Sequence, residues 1–133
     1  QDLGDHADIV AAIAGLAGGT FEDPANCTAS EPVHVLHIHG TKDQSVPYEL
    51  AAMPSVSFWA ERAKCSPVAK IKSPIDLEPT LNGSETTVQS WTDDCVAGGS
   101  AELWTIVDGV HIPEIGAQWM PLMLDYLLAH PKP

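Results

Sequence analysis

Apolar residues fall into short continuous runs and longer periodic segments, separated by polar or Gly/Pro-rich joints. Residues 9–16, IVAAIAGL, form an unbroken apolar run between Asp8 and the turn signal Gly18-Gly19. That is the pattern of a strand buried on both faces, although a helix fragment satisfies the same run. Residues 33–39, VHVLHIH, are rich in β-branched residues, begin after Pro32 and stop at Gly40, and predict the clearest strand of the chain. In SVSFWAERAK (55–64), Val56, Phe58, Trp59, Ala60 and Ala63 recur at helical spacing behind Pro54-Ser55, which predicts an amphipathic helix.

Between Cys65 and Cys95 the composition turns polar, with Pro67, Pro74, Pro79 and Gly83. Only TTVQSW (86–91) alternates there, so the segment reads as a surface excursion containing one edge strand. AELWTIV (101–107) is the last strand candidate and ends at Asp108-Gly109. From Gly116 to His130, Trp119, Leu122, Met123, Tyr126 and Leu127 recur at intervals of three and four, predicting a closing helix stopped by Pro131. Pro121 implies either a kink or a helix start nearer Met120, with proline in the first turn. The order strand, strand, helix, edge excursion, strand, helix, without internal repeats, predicts an α/β architecture with a mainly parallel sheet flanked by helices. Three or four strands are few for such a sheet. The first of them would present a long apolar edge if nothing preceded it.

With 44% hydrophobic and 18% charged residues in 133, the chain has the profile of one soluble globular unit. It has no apolar run of membrane-spanning length, so no membrane partner is expected. A formal charge of -12 repels phosphate backbones and anionic lipid, which argues against a nucleic-acid partner. The chain opens at Gln1 without Met, a basic segment or an apolar leader, and so reads as a cut, not a beginning. Cys27, Cys65 and Cys95 show no C-x-x-C spacing of a zinc or thioredoxin-type site. If Cys65 pairs with Cys95, Cys27 is left over; three free buried thiols is the alternative.

In an open α/β sheet, chemistry gathers beyond the carboxyl ends of the strands. Two loops stand there: Thr41-Lys42-Asp43-Gln44-Ser45-Val46-Pro47-Tyr48 after HIHG, and Asp108-Gly109-Val110-His111-Ile112-Pro113 after ELWTIV. An acid and an imidazole on adjacent loop tips suit nucleophilic catalysis, and their spacing alone fits a turn-forming surface aspartate and a solvated loop histidine equally well. A serine hydroxyl attacks poorly until an imidazole takes its proton, and a carboxylate must hold that imidazole and stabilise its cation.

LHIHGTKDQSVPY resembles the acid loop of α/β-hydrolases related to polyhydroxybutyrate depolymerases and feruloyl or acetyl-xylan esterases, in which the acid follows H-G-x-x-D and precedes V-P-Y. ELWTIVDGVHIP resembles their last strand and histidine loop. The similarity extends over PSVSFWAERAKC, the intervening helix ending at a cysteine, over the Cys95 region, and on to LLAHPKP. It implies that residues 1–133 are the C-terminal half of a single α/β-hydrolase domain whose N-terminal half is absent. It further implies that Asp43 and His111 are the triad acid and base of a serine carboxylesterase, and that Cys65 pairs with Cys95. Small-molecule or polymeric esters are the implied substrates, no cofactor is required, and the setting is secreted or periplasmic.

The family's nucleophile elbow, G-x-S-x-G, occurs nowhere in the chain; Ser45, Ser84 and Ser100 have no such context. Since QDLGDHADIVAAIAGLAG resembles the end of the elbow helix and the strand after it, the serine and oxyanion hole are expected upstream of residue 1. These residues alone are then expected to be inactive. Val110 stands where the family has glycine, and Ile112-Pro113 where it is more aromatic. The alternative function is a noncatalytic interaction module that retains a hydrolase scaffold.

Of His34, His37 and His39, only the last two share a strand face, so polar residues near a strand's end are preferred to a metal site, and none is assigned. The sequons Asn26-Cys27-Thr28 and Asn82-Gly83-Ser84 are too short to outweigh chance. Trp59, Trp104 and Trp119 fit burial, which leaves Trp91 as the candidate for a surface contact.

Overall fold

The computed structural model describes residues 6–19 and 24–133. Residues 1–5, which open the segment likened to the end of a helix and the strand after it, lie outside them. Among the described residues, five strands and two α-helices follow one another as β1 (Ala12–Leu16), β2 (His34–Gly40), α1 (Tyr48–Arg62), β3 (Lys70–Ile75), β4 (Thr86–Trp91), β5 (Ser100–Ile106) and α2 (Trp119–Ala129), with a 3-10 turn at Pro24–Asn26. The strands form one sheet in the order β1-β2-β5-β4-β3. β1 runs parallel to β2 and β2 parallel to β5, whereas β4 is antiparallel to β5 and β3 antiparallel to β4.

The sheet is therefore mixed, and the expectation of a mainly parallel one is corrected. The excursion between the cysteines supplies two strands instead of one, and both enter the sheet antiparallel. TTVQSW is β4, an interior strand, and the edge is KIKSPI, β3. Pro74 donates no ladder hydrogen bond, which an edge strand tolerates, and the β3–β4 register shifts between Lys72 and Ile75. Exposed Lys70 and Lys72 keep that edge charged. Trp91 is correspondingly buried at 6% exposure, its indole N–H donating to the Pro67 carbonyl at 3.3 Å, and is no surface platform.

Side chains alternate across β2 and β5, so the two faces collect different cores. Val35, Ala101 and Leu103 meet Ala52, Val56, Trp59 and Ala60 of α1 on one face. Leu36, Ile38, Trp104 and Ile106 meet Trp119 and Tyr126 of α2 on the other. Among the described residues, each face carries one helix.

α1 starts seven residues earlier than its apolar periodicity predicts and holds Pro54 in its interior. Pro54 is solvent-exposed, so the Leu50 carbonyl that loses its helical partner lies on the wet side. The helix ends at Ala63 with Lys64 left-handed at φ 57° and the Cys65 N–H donating to the Ala60 carbonyl at 2.9 Å. Cys65 bonds Cys95 there. α2 begins at Trp119, which puts Pro121 in the first turn, where its missing N–H has no helical acceptor to lose. Among the described residues, no helix is long and apolar enough to cross a membrane.

Candidate active site

The parallel pairing of β2 and β5 sets Gly40 opposite Ile106, so the loops that follow both strands leave the same rim side by side. They approach backbone to backbone. A Cβ on Gly40 would lie 2.3 Å from the Gly109 carbonyl oxygen, which is why glycine must stand there. Across that contact the Thr41 N–H donates to the Ile106 carbonyl at 3.0 Å and the Lys42 N–H to the Gly109 carbonyl at 2.8 Å.

Asp43 lies three residues beyond β2 and its side chain is excluded from solvent. Oδ1 accepts the backbone N–H groups of Ser45 and Val46, both at 2.8 Å. This Asx-type turn fixes the carboxylate plane and aims Oδ2 across the rim. His111 lies five residues beyond β5, and its Nδ1 stands 2.8 Å from Asp43 Oδ2. An ionised carboxylate only accepts, so Nδ1 carries the hydrogen in this pair. Nε2 has no hydrogen-bond partner among the described residues, and the ring is 37% exposed. Burial pushes the Asp43 pKa up, but the Val46 N–H, the His111 imidazole and the Ser45 N–H outweigh it and hold the carboxyl below its ordinary value. The result is a fixed anion behind an oriented imidazole whose second nitrogen faces outward. Val110 and Ile112, both exposed, give the rim beside it an apolar character.

Two histidines of β2 join from behind. His39 Nε2 lies 2.9 Å from the Val46 carbonyl oxygen and 3.1 Å from Asp43 Oδ2, and His39 Nδ1 lies 3.0 Å from His37 Nε2. Burial, then the neighbouring His39, lowers the His37 pKa to about 4. The shared face of His37 and His39 was legible from their spacing. The contact of His39 with the acid was not, because it arises only when residues 43–46 fold back over the strand end.

The remaining polar candidates lie apart from this pair. His34, on the opposite strand face, has Nδ1 2.7 Å from Ser100 Oγ and its ring 4.7 Å from that of His130. Burial, followed by His130 and Lys132, lowers its pKa to about 4. Among the described residues no carboxylate holds that imidazole, so the Ser100–His34 contact lacks what activates a serine. Ser45 contributes its backbone N–H to Asp43, and Ser84 lies exposed in the loop before β4. Among the described residues no group of three His, Cys, Asp or Glu side chains is arranged to hold a metal ion. Cys65 and Cys95 form a disulfide, and Cys27 is a buried free thiol.

No protein-family model matches the chain, and no curated protein matches its sequence.

Proposed function

We propose that Asp43 and His111 are the acid and base of a serine carboxylesterase, and that the chain is the C-terminal half of an α/β-hydrolase domain. The observation that carries this reading is the 2.8 Å bond from His111 Nδ1 to a buried, doubly anchored Asp43, which leaves Nε2 outward and open to a hydroxyl. In the proposed cycle Nε2 takes the proton of a serine hydroxyl as Oγ attacks the ester carbonyl. The imidazolium then protonates the departing alcohol. Water repeats the sequence on the acyl-serine, releasing the carboxylic acid and restoring the hydroxyl. Asp43 stabilises the imidazolium throughout.

The serine and the oxyanion donors are assigned to sequence upstream of residue 1. β1 lends support: it is parallel to β2 and occupies the outer position of the sheet, so a further parallel strand beside it would deliver its carboxyl end to the rim that holds Asp43 and His111. The substrate assigned is a small or polymeric ester, approached over the apolar rim of Val110 and Ile112. The cycle needs neither metal nor organic cofactor. A secreted or periplasmic setting is supported by the disulfide, which persists in oxidising compartments.

The test is made on this chain joined to its serine-bearing segment. A fluorophosphonate is expected to label one serine, and His111→Ala to lower turnover of a p-nitrophenyl ester by about 10⁴-fold. Hydrolysis that survives His111→Ala undiminished sinks the assignment. A protein that stays folded, monomeric and unlabelled is instead the noncatalytic module.

A further inference from the structure

We infer that His39 is the positioning residue for Asp43, reached through Val46. This rests on the esterase reading only for its effect on turnover, not for its effect on the acid. An imidazole in an apolar layer is unfavourable unless its nitrogens are satisfied, and His39 is fully buried on the α1 face of the sheet. Both of its nitrogens have partners. The Val46 carbonyl has no hydrogen to give, so the ring nitrogen facing it, Nε2, must carry one. In uncharged His39, Nδ1 is then an acceptor, and the hydrogen between the two rings belongs to His37 Nε2. A directed chain results: His37 donates to His39, and His39 donates to the Val46 carbonyl.

Val46 is where this chain meets the acid. Its carbonyl is held by His39, while its N–H donates to Asp43 Oδ1 at 2.8 Å. The carbonyl and the N–H belong to adjacent peptide units joined through the φ and ψ of Val46, so holding the carbonyl restricts the swing of the residue whose N–H anchors Oδ1, and with it the carboxylate. The same His39 nitrogen stands 3.1 Å from Oδ2, the oxygen that receives His111. Oδ2 is thus bracketed, with His39 behind and His111 in front. His39 also meets the Tyr48 ring edge-on at 5.7 Å, and the Tyr48 hydroxyl lies 2.8 Å from Thr105 Oγ1 on β5. The clamp is therefore braced against the strand that carries the histidine loop. His39 touches no reacting atom in this arrangement. Its part is to stop the carboxylate rotating away from the base.

Two variants separate position from bulk. His39→Phe keeps a ring but loses both polar atoms, whereas His39→Gln returns an N–H near the site of Nε2. The readout is the downfield His111 Nδ1–H resonance in proton NMR, with circular dichroism as the check on folding. The signal is expected in the native protein and in His39→Gln, and to broaden or vanish in folded His39→Phe. A signal unchanged in folded His39→Phe overturns the inference. Should His39→Phe not fold, imidazole ¹⁵N shifts of the native protein decide instead: hydrogen on Nε2 of His39 is expected, and hydrogen on Nδ1 alone overturns the clamp. With the serine-bearing segment present, His39→Phe is expected to lower kcat about tenfold with little change in KM, and His39→Gln to restore it. If the native protein hydrolyses no ester while the resonance responds as expected, the esterase reading fails and the positioning role stands.

Discussion

The backbone N–H of Asp108 donates to Thr41 Oγ1 at 2.8 Å, tying the first residue after β2 to the turn after β5. Asp108 is left-handed at φ 64°, and this bond satisfies a donor on a backbone that has already left the ladder. Together with the Lys42–Gly109 and Thr41–Ile106 backbone bonds, it makes the two loops one unit. The acid and the base are thus registered by main chain before their side chains meet. Lys42 and Asp108 also pair at 3.0 Å, but both are more than half exposed, and such a pair contributes little beyond what the backbone fixes.

This lacing requires Gly40. A methyl group there would meet the carbonyl carbon and oxygen of Gly109 at 2.4 and 2.3 Å, and these are backbone atoms that cannot rotate aside. Gly40→Ala is expected to cost about 1–3 kcal/mol and to weaken the His111–Asp43 bond. Gly18→Ala, with open space around it, serves as control. Thermal melting read with the His111 imidazole N–H resonance checks both effects, and a Gly40→Ala protein matching the control in both would contradict the lacing.

Asp43 should leave a signature in acid. Its folded-state pKa lies below the ordinary 3.8, so the unfolded chain takes up the proton first as pH falls. The stability it contributes is complete above about pH 4 and is lost as pH descends through the folded value. Asp43→Asn has no such proton to bind. Urea unfolding at pH 7 and at pH 3 is expected to show a larger drop for the native protein than for the variant, and equal drops would mean that the carboxylate is not held as described.

The parts of the fold that could be read in the sequence are those where burial and local preference agree. β2 is β-branched, interior and bounded by Pro32 and Gly40, so pattern and environment coincide. The Asp43 and His111 loops are legible as polar tips behind buried strands, while the pairing of the two residues is implied by the resemblance and not by their spacing; the structure brings the side chains within 2.8 Å. β3 was missed because an edge strand needs neither alternation nor a full set of N–H groups, and KIKSPI, with a proline and two lysines, looks like a loop. The first half of α1 was hidden by Pro54, whose lost hydrogen bond falls on the solvent side. The mixed sheet follows from the missed strand, since two antiparallel neighbours replaced one surface excursion.

His37 gives a second pH window. Its pKa falls from 6.5 to about 4 on folding, chiefly through burial and then through His39, so the folded state resists a proton that the unfolded chain accepts. The sign is opposite to that of a histidine gaining an anionic partner. Stability is full above pH 6.5 and is lost progressively between 6.5 and about 4, by on the order of 3 kcal/mol. His34 acts in the same window, so His37→Phe is expected to reduce the loss without abolishing it. Denaturant midpoints at pH 7.5 and pH 4.5 compare the slopes, and an unaltered slope would place His37 in contact with water.

The Cys65–Cys95 bridge joins the end of α1 to the turn after β4 and encloses β3 and β4. Backbone bonds already bring the same segments together, with the Ser66 N–H donating to the Asp93 carbonyl at 2.7 Å and the Val96 N–H to the Ala63 carbonyl at 2.8 Å. Those bonds form only in the folded chain, whereas the disulfide also shortens the unfolded one. With the cysteines 30 positions apart, its removal is expected to cost about 3–4 kcal/mol. The paired substitution Cys65→Ser with Cys95→Ser should therefore lower the urea midpoint while leaving the antiparallel β3–β4 hairpin in place. Cys27, buried against the α1 face, supplies an internal count. Alkylation of the denatured, unreduced protein should add one group, and alkylation after reduction three. Three groups without reduction, or a midpoint unmoved by the double substitution, would show that the bridge does not hold this part of the sheet.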